Sequence, residues 1–403
     1  MRLILVNDVS TVRGGATKVA LQCLEASRDA GLTCAILVGD DGEGLKPRFA
    51  GIRTVALGEK PLREGPAFSD VFTKNYNRRA YEAMEGLLRE SAEETVVHIH
   101  GWSQILSPSI FYALANHRAK VIITAHDFFL TCPNGGLINF RSGEVCDIKP
   151  LSAACLTTNC DKRNYAHKLW RFRRALTQRG VGEDFWNRVG IVLAHENMEG
   201  YLRAGPLRHF TTLRTPTEPL TRVPVEAWRQ RRIVFLGRMC WEKGVRTLAA
   251  ALNKTGRVAT LIGRGPLLAE MQRALPHCFV PGWLSDEEVT AIAGQARVFV
   301  MPSRMPEPYG LVAAEALMSG IPVIVSSNAL IAEEVESSGA GLIFDSGDAD
   351  SLAEKLAETD DDRLMQRLSE GALALGRTMA PSRAEWGRRM VDIYTGRRGF
   401  SGY

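Results

Sequence analysis

The residues best suited to chemistry lie in one segment, VFVMPSRMPEPYGLVAAEALMSGIPVIVS, residues 298–326. A predicted strand ends at Pro302, a loop carries Glu307, and a helix is predicted to begin just after Pro308, because proline fits the first turn of a helix. Partial positive charge collects at a helix N-terminus, where backbone N–H groups point outward. Here these groups would belong to Tyr309, Gly310 and Leu311. The segment therefore predicts a phosphate site to which glycine allows close approach.

Two glutamates flank this predicted anion site. Glu307 precedes the helix and Glu315 lies about a turn and a half inside it. Two carboxylates would repel an anion, so the arrangement makes sense only if they bind hydroxyl groups on either side of it. A nucleoside diphosphate sugar has this form, with a ribose at one acid and a hexose at the other. The alternative is a solvated helix start with two surface acids.

Three motifs carry a resemblance to a known family. The segments EPYGLVAAE, GRMCWEKG (237–244) and IGRGP (262–266, with Gly263 and Arg264) resemble those of retaining glycosyltransferases of family four. The resemblance covers the C-terminal half continuously and much of the N-terminal half, and it implies a GT-B fold. It also implies that Arg238 and Lys243 hold the donor diphosphate, a role that suits cations because charge grows on the departing oxygen. The alternative for this pair is a surface ion pair with Glu242.

The N-terminal half offers weaker matches. The pair Gly14 and Gly15 follows the first predicted strand, and in the family this loop approaches the donor phosphate or the acceptor; the alternative is a plain strand-to-helix turn. His126 closes a strand and resembles the family's histidine near the transferred sugar, where a neutral imidazole bonds a hydroxyl. Its alternative is a strand-end histidine bonded to the backbone. His98 and His100 alternate on one strand, and we expect them to line the acceptor cleft.

Short apolar runs position these residues. The runs RLILVND, CAILVGD, VVHIHGW, KVIITAHD and GIVLAH alternate with helix-compatible segments, and the pattern restarts at RRIVFLGRM (231–239) after several prolines. Such runs are typical of parallel strands covered on both faces. Ser285 and Glu288 predict a capping box at the start of a helix. We expect an α/β protein of GT-B type, with two doubly wound Rossmann-like domains facing across a cleft.

The expected domain limits follow from this pattern. An acceptor-side domain covers residues 1–215 and contains a cysteine-rich insertion at 130–180. A donor-binding domain covers residues 216–380, and a final helix within 381–403 returns to the first domain, as in GT-B proteins.

Four of the eight cysteines fall within twenty-nine residues, at Cys132, Cys146, Cys155 and Cys160. Disulfides are not expected in a reducing cytoplasm, whereas four thiolates form a closed tetrahedral zinc site. The spacing lacks a C-x-x-C knuckle, and substitute ligands are His126, His167 and Asp161. Structural zinc and free buried thiols fit the pattern equally well, and an iron–sulfur cluster fits it less well.

Charge and hydropathy suggest a partner surface. Residues 1–215 carry 28 Lys and Arg against 22 Asp and Glu, and residues 162–180 carry seven basic residues and no acid. An apolar stripe runs along the same predicted helix, formed by Tyr165, Leu169, Phe172 and Leu176. This helix fits a contact to anionic lipid, and the alternative is a helix packed into the core. A nucleic-acid signature is missing. The apolar run near the N-terminus is too short for a signal peptide, so a cytoplasmic protein, peripheral at the inner membrane face, is expected.

These features predict a retaining hexosyltransferase that uses a UDP- or GDP-sugar and a saccharide or lipid-linked saccharide acceptor in surface polysaccharide synthesis. No Asp-x-Asp segment stands among the residues assigned to the donor, so we expect catalysis to require no metal cofactor. Competing hypotheses are another GT-B enzyme, such as a nucleotide-sugar epimerase or a phosphorylase, and a non-catalytic module that binds nucleotide sugars.

Overall fold

The computed structural model describes residues 1–12, 14–46, 48–61, 75–91 and 94–400. The chain divides into two units. The N-terminal unit comprises Met1–Arg141, Cys146–Leu213 and Arg383–Tyr403, and the C-terminal unit comprises Ser142–Val145 and Arg214–Ser382. The last three residues of the predicted returning segment lie outside the described residues.

The N-terminal unit contains a parallel sheet. Its strands are β1 (Arg2–Asn7), β2 (Thr33–Val38), β3 (Arg53–Ala56), β4 (Thr95–Ile99), β5 (Lys120–Ala125), β6 (Gly190–Leu193) and β7 (His209–Thr212). Their order is β3-β2-β1-β4-β5-β6-β7, and every pairing is parallel. The helices are α1 (Gly15–Asp29), α2 (Arg78–Arg89), α3 (Ser109–Ala115), α4 (Ala153–Thr157), α5 (Tyr165–Arg179), α6 (Glu183–Trp186) and α7 (Met198–Leu202).

The C-terminal unit repeats this plan. Its strands are β8 (Arg232–Leu236), β9 (Ala259–Ile262), β10 (Phe279–Gly282), β11 (Ala296–Met301), β12 (Val323–Ser326) and β13 (Gly341–Phe344). The parallel order is β10-β9-β8-β11-β12-β13. The helices are α8 (Val245–Thr255), α9 (Leu268–Ala274), α10 (Asp286–Ala293), α11 (Leu311–Met318), α12 (Ala332–Ser337), α13 (Ala349–Glu358) and α14 (Asp362–Met379). Helix α10 begins with the predicted capping box of Ser285 and Glu288.

The final helix, α15 (Arg383–Tyr394), belongs to the N-terminal unit. Its apolar face joins the core of that unit through Trp386, Met390, Ile393 and Tyr394. A Cβ atom on Gly387 would lie 2.7 Å from the Cβ of Ala26 in α1, so glycine permits close packing of the two helices. Lys120 donates to the carbonyl oxygens of Ile393 and Tyr394, and this cation stabilises the negative end of the helix.

The two sheets confirm the predicted α/β class with two doubly wound domains. In each, the strand order reverses between the first and fourth strands, β1 and β4 in one unit and β8 and β11 in the other. Ligands of such sheets bind outside the carboxyl ends of the strands at this switch point. Among the described helices, none has the length and hydropathy needed to cross a bilayer.

Candidate functional site

The predicted donor residues lie at the switch point of the C-terminal unit. The loop after β8 carries Arg238 and Lys243, and the loop after the neighbouring strand β11 carries Glu307. Because β8 and β11 are adjacent and parallel, their carboxyl ends open at the same edge of the sheet. The topology therefore brings together residues that are more than sixty positions apart in the sequence.

Glycines hold the loops of this edge in close contact. A Cβ atom on Gly244, whose φ is 68°, would lie 1.7 Å from the carbonyl oxygen of Pro302. Gly263 has a φ of 137°, and a Cβ there would lie 1.9 Å from the carbonyl oxygen of Gly237. Only glycine meets both the backbone angle and the contact at these positions. The GRMCWEKG and IGRGP motifs are thus required to pack the backbone around the crevice.

The centre of the site is an ion pair between Lys243 and Glu307. The ammonium lies 2.6 Å from both carboxylate oxygens of Glu307, and the hydroxyl of Ser303 donates to one of them at 2.9 Å. The Lys243 and Glu307 side chains are 30% and 15% exposed. Burial opposes ionisation of Glu307, but the charge of Lys243 and these hydrogen bonds outweigh it and lower the pKa of the carboxyl. Glu307 is therefore an anion at neutral pH, and Lys243 pairs with it rather than forming the surface pair with Glu242.

Helix α11 begins later than predicted. Its first residue is Leu311 and its N-cap is Gly310, in the left-handed conformation at φ 68°, rather than a helical turn starting after Pro308. A Cβ on Gly310 would lie 2.8 Å from the sulfur of Met301, so glycine suits both the left-handed backbone and this contact. The outward amides of the first turn therefore start at Leu311. The side chain of Tyr309 is buried, and its hydroxyl donates to the carbonyl oxygen of Met379.

The N-terminus of α11 retains the features of an anion site. Among the described residues, no side chain caps it, and the first turn contains no acidic residue. Glu315, half-buried, is the fifth residue of the helix. Arg238 and Arg264 are exposed, and no described residue forms an ion pair with either of them. Both cations are therefore available to a ligand at this edge.

In the N-terminal unit, Gly14 is the N-cap of α1 and Gly15 is its first residue. Gly14 has extended backbone angles, and a Cβ atom there would meet no atom within 4 Å. No described side chain caps this fifteen-residue helix either. The position accommodates an approaching ligand, but the backbone of Gly14 does not itself require glycine.

Three histidines form a cluster in this unit, in which His98 and His100 are buried and His126 is half-buried. His126, directly after β5, and His100 share a hydrogen bond of 2.9 Å between their ring nitrogens. Burial lowers the pKa of His126 to about 4, so its imidazole is neutral at physiological pH, as a hydroxyl-binding role requires. The prediction that His98 lines an acceptor cleft is wrong. Its side chain is fully buried, and its nitrogens bond the hydroxyls of Tyr394 and Thr124.

Among the described residues, the cysteines and substitutes expected to bind a metal do not form a set of three with ligand atoms within 4.8 Å of one another. Among the described residues, the one set of three with ligand atoms within 4.8 Å of one another is Cys23, His98 and His100, but both nitrogens of His98 are already hydrogen-bonded. None of the four clustered cysteines forms a disulfide. Of their suggested substitutes, Asp161 is ion-paired with Arg171 at 3.2 Å, and a ring nitrogen of His167 lies 2.9 Å from a guanidinium nitrogen of Arg163.

Two Asp-x-Asp segments occur away from the donor loops. Asp348 and Asp361 cap the N-termini of α13 and α14. The remaining acids are ion-paired, Asp350 with Lys254, Asp360 with Arg257, and Asp362 with Arg231 and Arg297. These carboxylates thus serve helix caps and ion pairs.

A protein-family model matches most of the C-terminal unit. Residues 220–373 match the family model described as glycosyl transferases group 1. This segment belongs to that family. The match supports, for the C-terminal half, the resemblance to family-four glycosyltransferases.

A GDP-mannose-dependent alpha-(1-6)-phosphatidylinositol monomannoside mannosyltransferase of Mycobacterium tuberculosis is 30% identical over 143 residues, which cover 31% of this chain and 37% of that protein. A glycogen synthase of the same species is 30% identical over 185 residues, 42% of this chain and 44% of that protein. The chain thus matches less than half the length of these relatives.

Solved structures extend the comparison to the whole chain. Sucrose-phosphate synthase of Thermosynechococcus elongatus aligns with a TM-score of 0.71 at 18% identity, over 98% of both chains. HepE of Anabaena in complex with UDP-glucose aligns with a TM-score of 0.65 at 14% identity, over 98% of this chain and all of the other. The predicted GT-B fold is confirmed.

Sequence reasoning missed two contacts of the site. It assigned no role to Ser303, although this residue stands four positions before Glu307 in the same loop. It also did not pair Lys243 with Glu307, because sixty-four positions separate them. The only available signal was that each followed a predicted strand.

Proposed function

We propose that the chain transfers a hexose from a UDP- or GDP-sugar, with retention of anomeric configuration, to a saccharide or lipid-linked saccharide during surface polysaccharide synthesis. The observation that carries this proposal is the Lys243–Glu307 pair beside the uncapped N-terminus of α11. A cation and helix amides suit a diphosphate, and the carboxylate suits the hydroxyls of the attached sugar.

Donor binding would exchange the partners of this pair. The diphosphate takes the ammonium of Lys243, together with exposed Arg238 and the first-turn amides of α11, and Glu307 is released to accept hydrogen bonds from hexose hydroxyls. Glu315 would bind the ribose, and the backbone around Gly263 and Arg264 would close the site. Binding of the diphosphate thus frees the carboxylate of Glu307 to bind the hexose.

The same groups would serve the reaction. As the bond to the sugar breaks, charge accumulates on the phosphate oxygen, where Lys243 and Arg238 stabilise it. The acceptor hydroxyl attacks from the face of the departing diphosphate, whose oxygen takes its proton, so configuration is retained. His126 is neutral and shares one ring nitrogen with His100, which leaves Nδ1 for a sugar hydroxyl. These groups require no divalent cation in the chemical step.

The relatives support this class of substrate. The mycobacterial enzyme is named for GDP-mannose and a phosphatidylinositol mannoside, and HepE binds UDP-glucose. WaaG, a glycosyltransferase involved in lipopolysaccharide biosynthesis, aligns with a TM-score of 0.63 at 15% identity. The choice between UDP and GDP is left to the assay.

A second part of the proposal is a contact to an anionic membrane at the inner face. The predicted apolar stripe on α5 is largely exposed, at 37% for Tyr165, 41% for Leu169 and 48% for Leu176, whereas Phe172 is buried. Exposed basic residues flank it, Lys162, Arg173 and Arg179. Apolar side chains beside cations favour the surface of an anionic bilayer.

Vesicle sedimentation tests the membrane contact. We expect binding to vesicles with anionic lipid and a loss of about tenfold for Leu169→Asp combined with Leu176→Asp, since each change removes apolar contact and adds a repelled charge. The matched control is Val258→Asp, because Val258 is 61% exposed but lies in the C-terminal unit. Equal binding by all variants, or by neutral vesicles, contradicts the contact.

Transfer assays with UDP- and GDP-sugars and a panel of lipid-linked and soluble saccharides test the catalytic proposal. We expect Arg238→Ala and Glu307→Gln each to lower transfer by about 100-fold or more. The control is Glu270→Gln, which breaks the exposed pair with Arg246 and leaves transfer unchanged. Isomerisation of the donor without an acceptor, or phosphorolysis of a saccharide, would indicate another GT-B enzyme. Nucleotide binding without turnover would indicate a binding module.

A further inference from the structure

A small cavity in the N-terminal unit is lined by all four clustered cysteines. Cys132, Cys155 and Cys160 are buried and Cys146 is half-buried. The cavity has a volume of about 20 Å³, and most of its other lining is apolar, including Leu137, Ile148 and Pro150. This space accommodates a single ion or water. The fold therefore places four cysteines that are spread over twenty-nine residues around one cavity.

A buried lysine points its ammonium at these sulfurs. Lys168 on α5 is 1% exposed, and its Nζ donates to Cys160 at 3.2 Å and to Cys155 at 3.3 Å. Within the described part of the chain, no carboxylate pairs with it. A buried ammonium is stabilised by an anionic neighbour, and among the cavity-lining residues the cysteines become anionic when they bind a metal. Lys168 is therefore positioned to balance the charge of a metal bound by these cysteines.

A second N–H donor contacts one of these sulfurs. The side-chain amide of Asn134 donates to Cys160 at 3.4 Å, so this sulfur accepts hydrogen bonds from two N–H groups. The main chain around Asn134 is tied in turn to Arg171, which donates to its carbonyl oxygen. The sulfur of Cys160 is thus surrounded as a metal-bound thiolate is, because N–H donors orient such a ligand and disperse its charge.

We propose that Cys132, Cys146, Cys155 and Cys160 bind one zinc ion, with Lys168 as the neighbouring cation. Each thiol that enters the site releases one proton, and four thiolates with Zn²⁺ carry a net charge of −2, which the ammonium reduces to −1. Four soft thiolates select zinc over harder cations. No three of the four sulfurs lie within 4.8 Å of one another, so binding draws them inward. The segment that carries these cysteines is mostly loop, with the short helix α4 as its regular element, so it can move inward with the sulfurs.

A zinc ion with four protein ligands has no open position, so its role is to fold this segment. The segment follows strand β5, which ends at Ala125, and leads into α5. Loss of the metal would therefore release the loops of the N-terminal unit. Zinc content is measured without any transfer assay, so the metal site and the proposed transferase activity stand or fall separately.

The test uses the full-length chain, free of any affinity tag, from zinc-supplemented cultures. Elemental analysis is expected to give about one zinc per chain, with four sulfur neighbours at about 2.3 Å by X-ray absorption. Cys146→Ser, the variant at the least buried ligand, is expected to lower the content to a small fraction. The matched control is Cys278→Ser, a partly buried cysteine of the C-terminal unit, which leaves it unchanged. Lys168→Met is expected to weaken zinc retention against a chelator by about tenfold.

Cobalt substitution needs no variant. The wild-type chain is expected to show thiolate-to-cobalt charge-transfer bands typical of a tetrahedral sulfur site. Less than about a tenth of an equivalent of zinc together with no cobalt–thiolate bands overturns the proposal. So does zinc that remains fully bound in Cys146→Ser or that has nitrogen and oxygen neighbours instead of sulfur.

Discussion

The Lys243–Glu307 pair leads to an unusual expectation for Glu307→Gln: binding of the free nucleotide and transfer of the sugar change in opposite directions. In the wild type, UDP or GDP must take Lys243 from a carboxylate 2.6 Å away and then lie beside that negative charge. The glutamine side chain has almost the same shape and no charge. The variant therefore frees Lys243 for the diphosphate but loses the charged acceptor for hexose hydroxyls.

The exposure of the two side chains sets the magnitude. Breaking a fully buried pair costs about 3 to 5 kcal/mol, and an exposed pair contributes about 0 to 1 kcal/mol. With Lys243 30% and Glu307 15% exposed, we take about 1 kcal/mol for the competition that the nucleotide no longer meets. This corresponds to about fivefold tighter binding of UDP or GDP. Transfer falls by about 100-fold or more, since Glu307 is proposed to contact the reacting sugar.

Calorimetric titration with UDP and GDP, run alongside the transfer assay, measures both effects. Lys243→Met is expected to weaken nucleotide binding, and adding Glu307→Gln to it is expected to bring no tightening, because the coupling between the two sites is then absent. Glu270→Gln, which breaks a pair of equal length with Arg246, controls for a general change in charge. Tenfold weaker nucleotide binding in a folded Glu307→Gln protein would refute the partner exchange.

Three further outcomes are expected. Gly244→Ala places a methyl group 1.7 Å from the oxygen of Pro302, so it is expected to abolish nucleotide binding and lower the unfolding midpoint. The control Gly256→Ala has a similar φ of 64° and no neighbour within 4 Å, so it is expected to lower the free energy of unfolding by only about 1 to 2 kcal/mol in a denaturant titration. Because burial lowers the pKa of His126 to about 4 from an unfolded value near 6.5, stability is expected to fall as the pH drops from about 6.5 to 4. His126→Asn is expected to reduce that slope in unfolding curves without abolishing it, because burial also lowers the pKa of His98 and His100; an unchanged slope contradicts the neutral histidine. Transfer measured after chelation of free magnesium is expected to persist, and its loss with recovery on adding magnesium contradicts metal-independent chemistry.

The sequence was most informative about strands buried on both faces. Runs such as RLILVN and KVIITA carry no charged residue after their first position and correspond to β1 and β5. Strands β3, β7 and β13 were not predicted. Each has four residues, and RTVA and HFTT lack a continuous apolar run, so their pairing depends on the neighbouring strand.

The site shows the same division between local and long-range information. A strand end followed by a helix start predicted the loops that carry Lys243 and Glu307 and the helix that carries Glu315. The left-handed turn at Gly310 was not predicted, because Pro308 favoured a helix start two residues earlier. His98 was misplaced for a related reason. Its alternation with His100 is local, but its burial results from Tyr394, almost three hundred positions later.

A crystal structure of the chain bound to UDP or GDP tests the central claim most directly. The expected result is a β-phosphate within about 3 Å of the ammonium of Lys243 and of the first-turn amides of α11, with Glu307 no longer bonded to that lysine. A diphosphate bound elsewhere, or a Lys243–Glu307 contact that persists beside the bound nucleotide, would contradict the account.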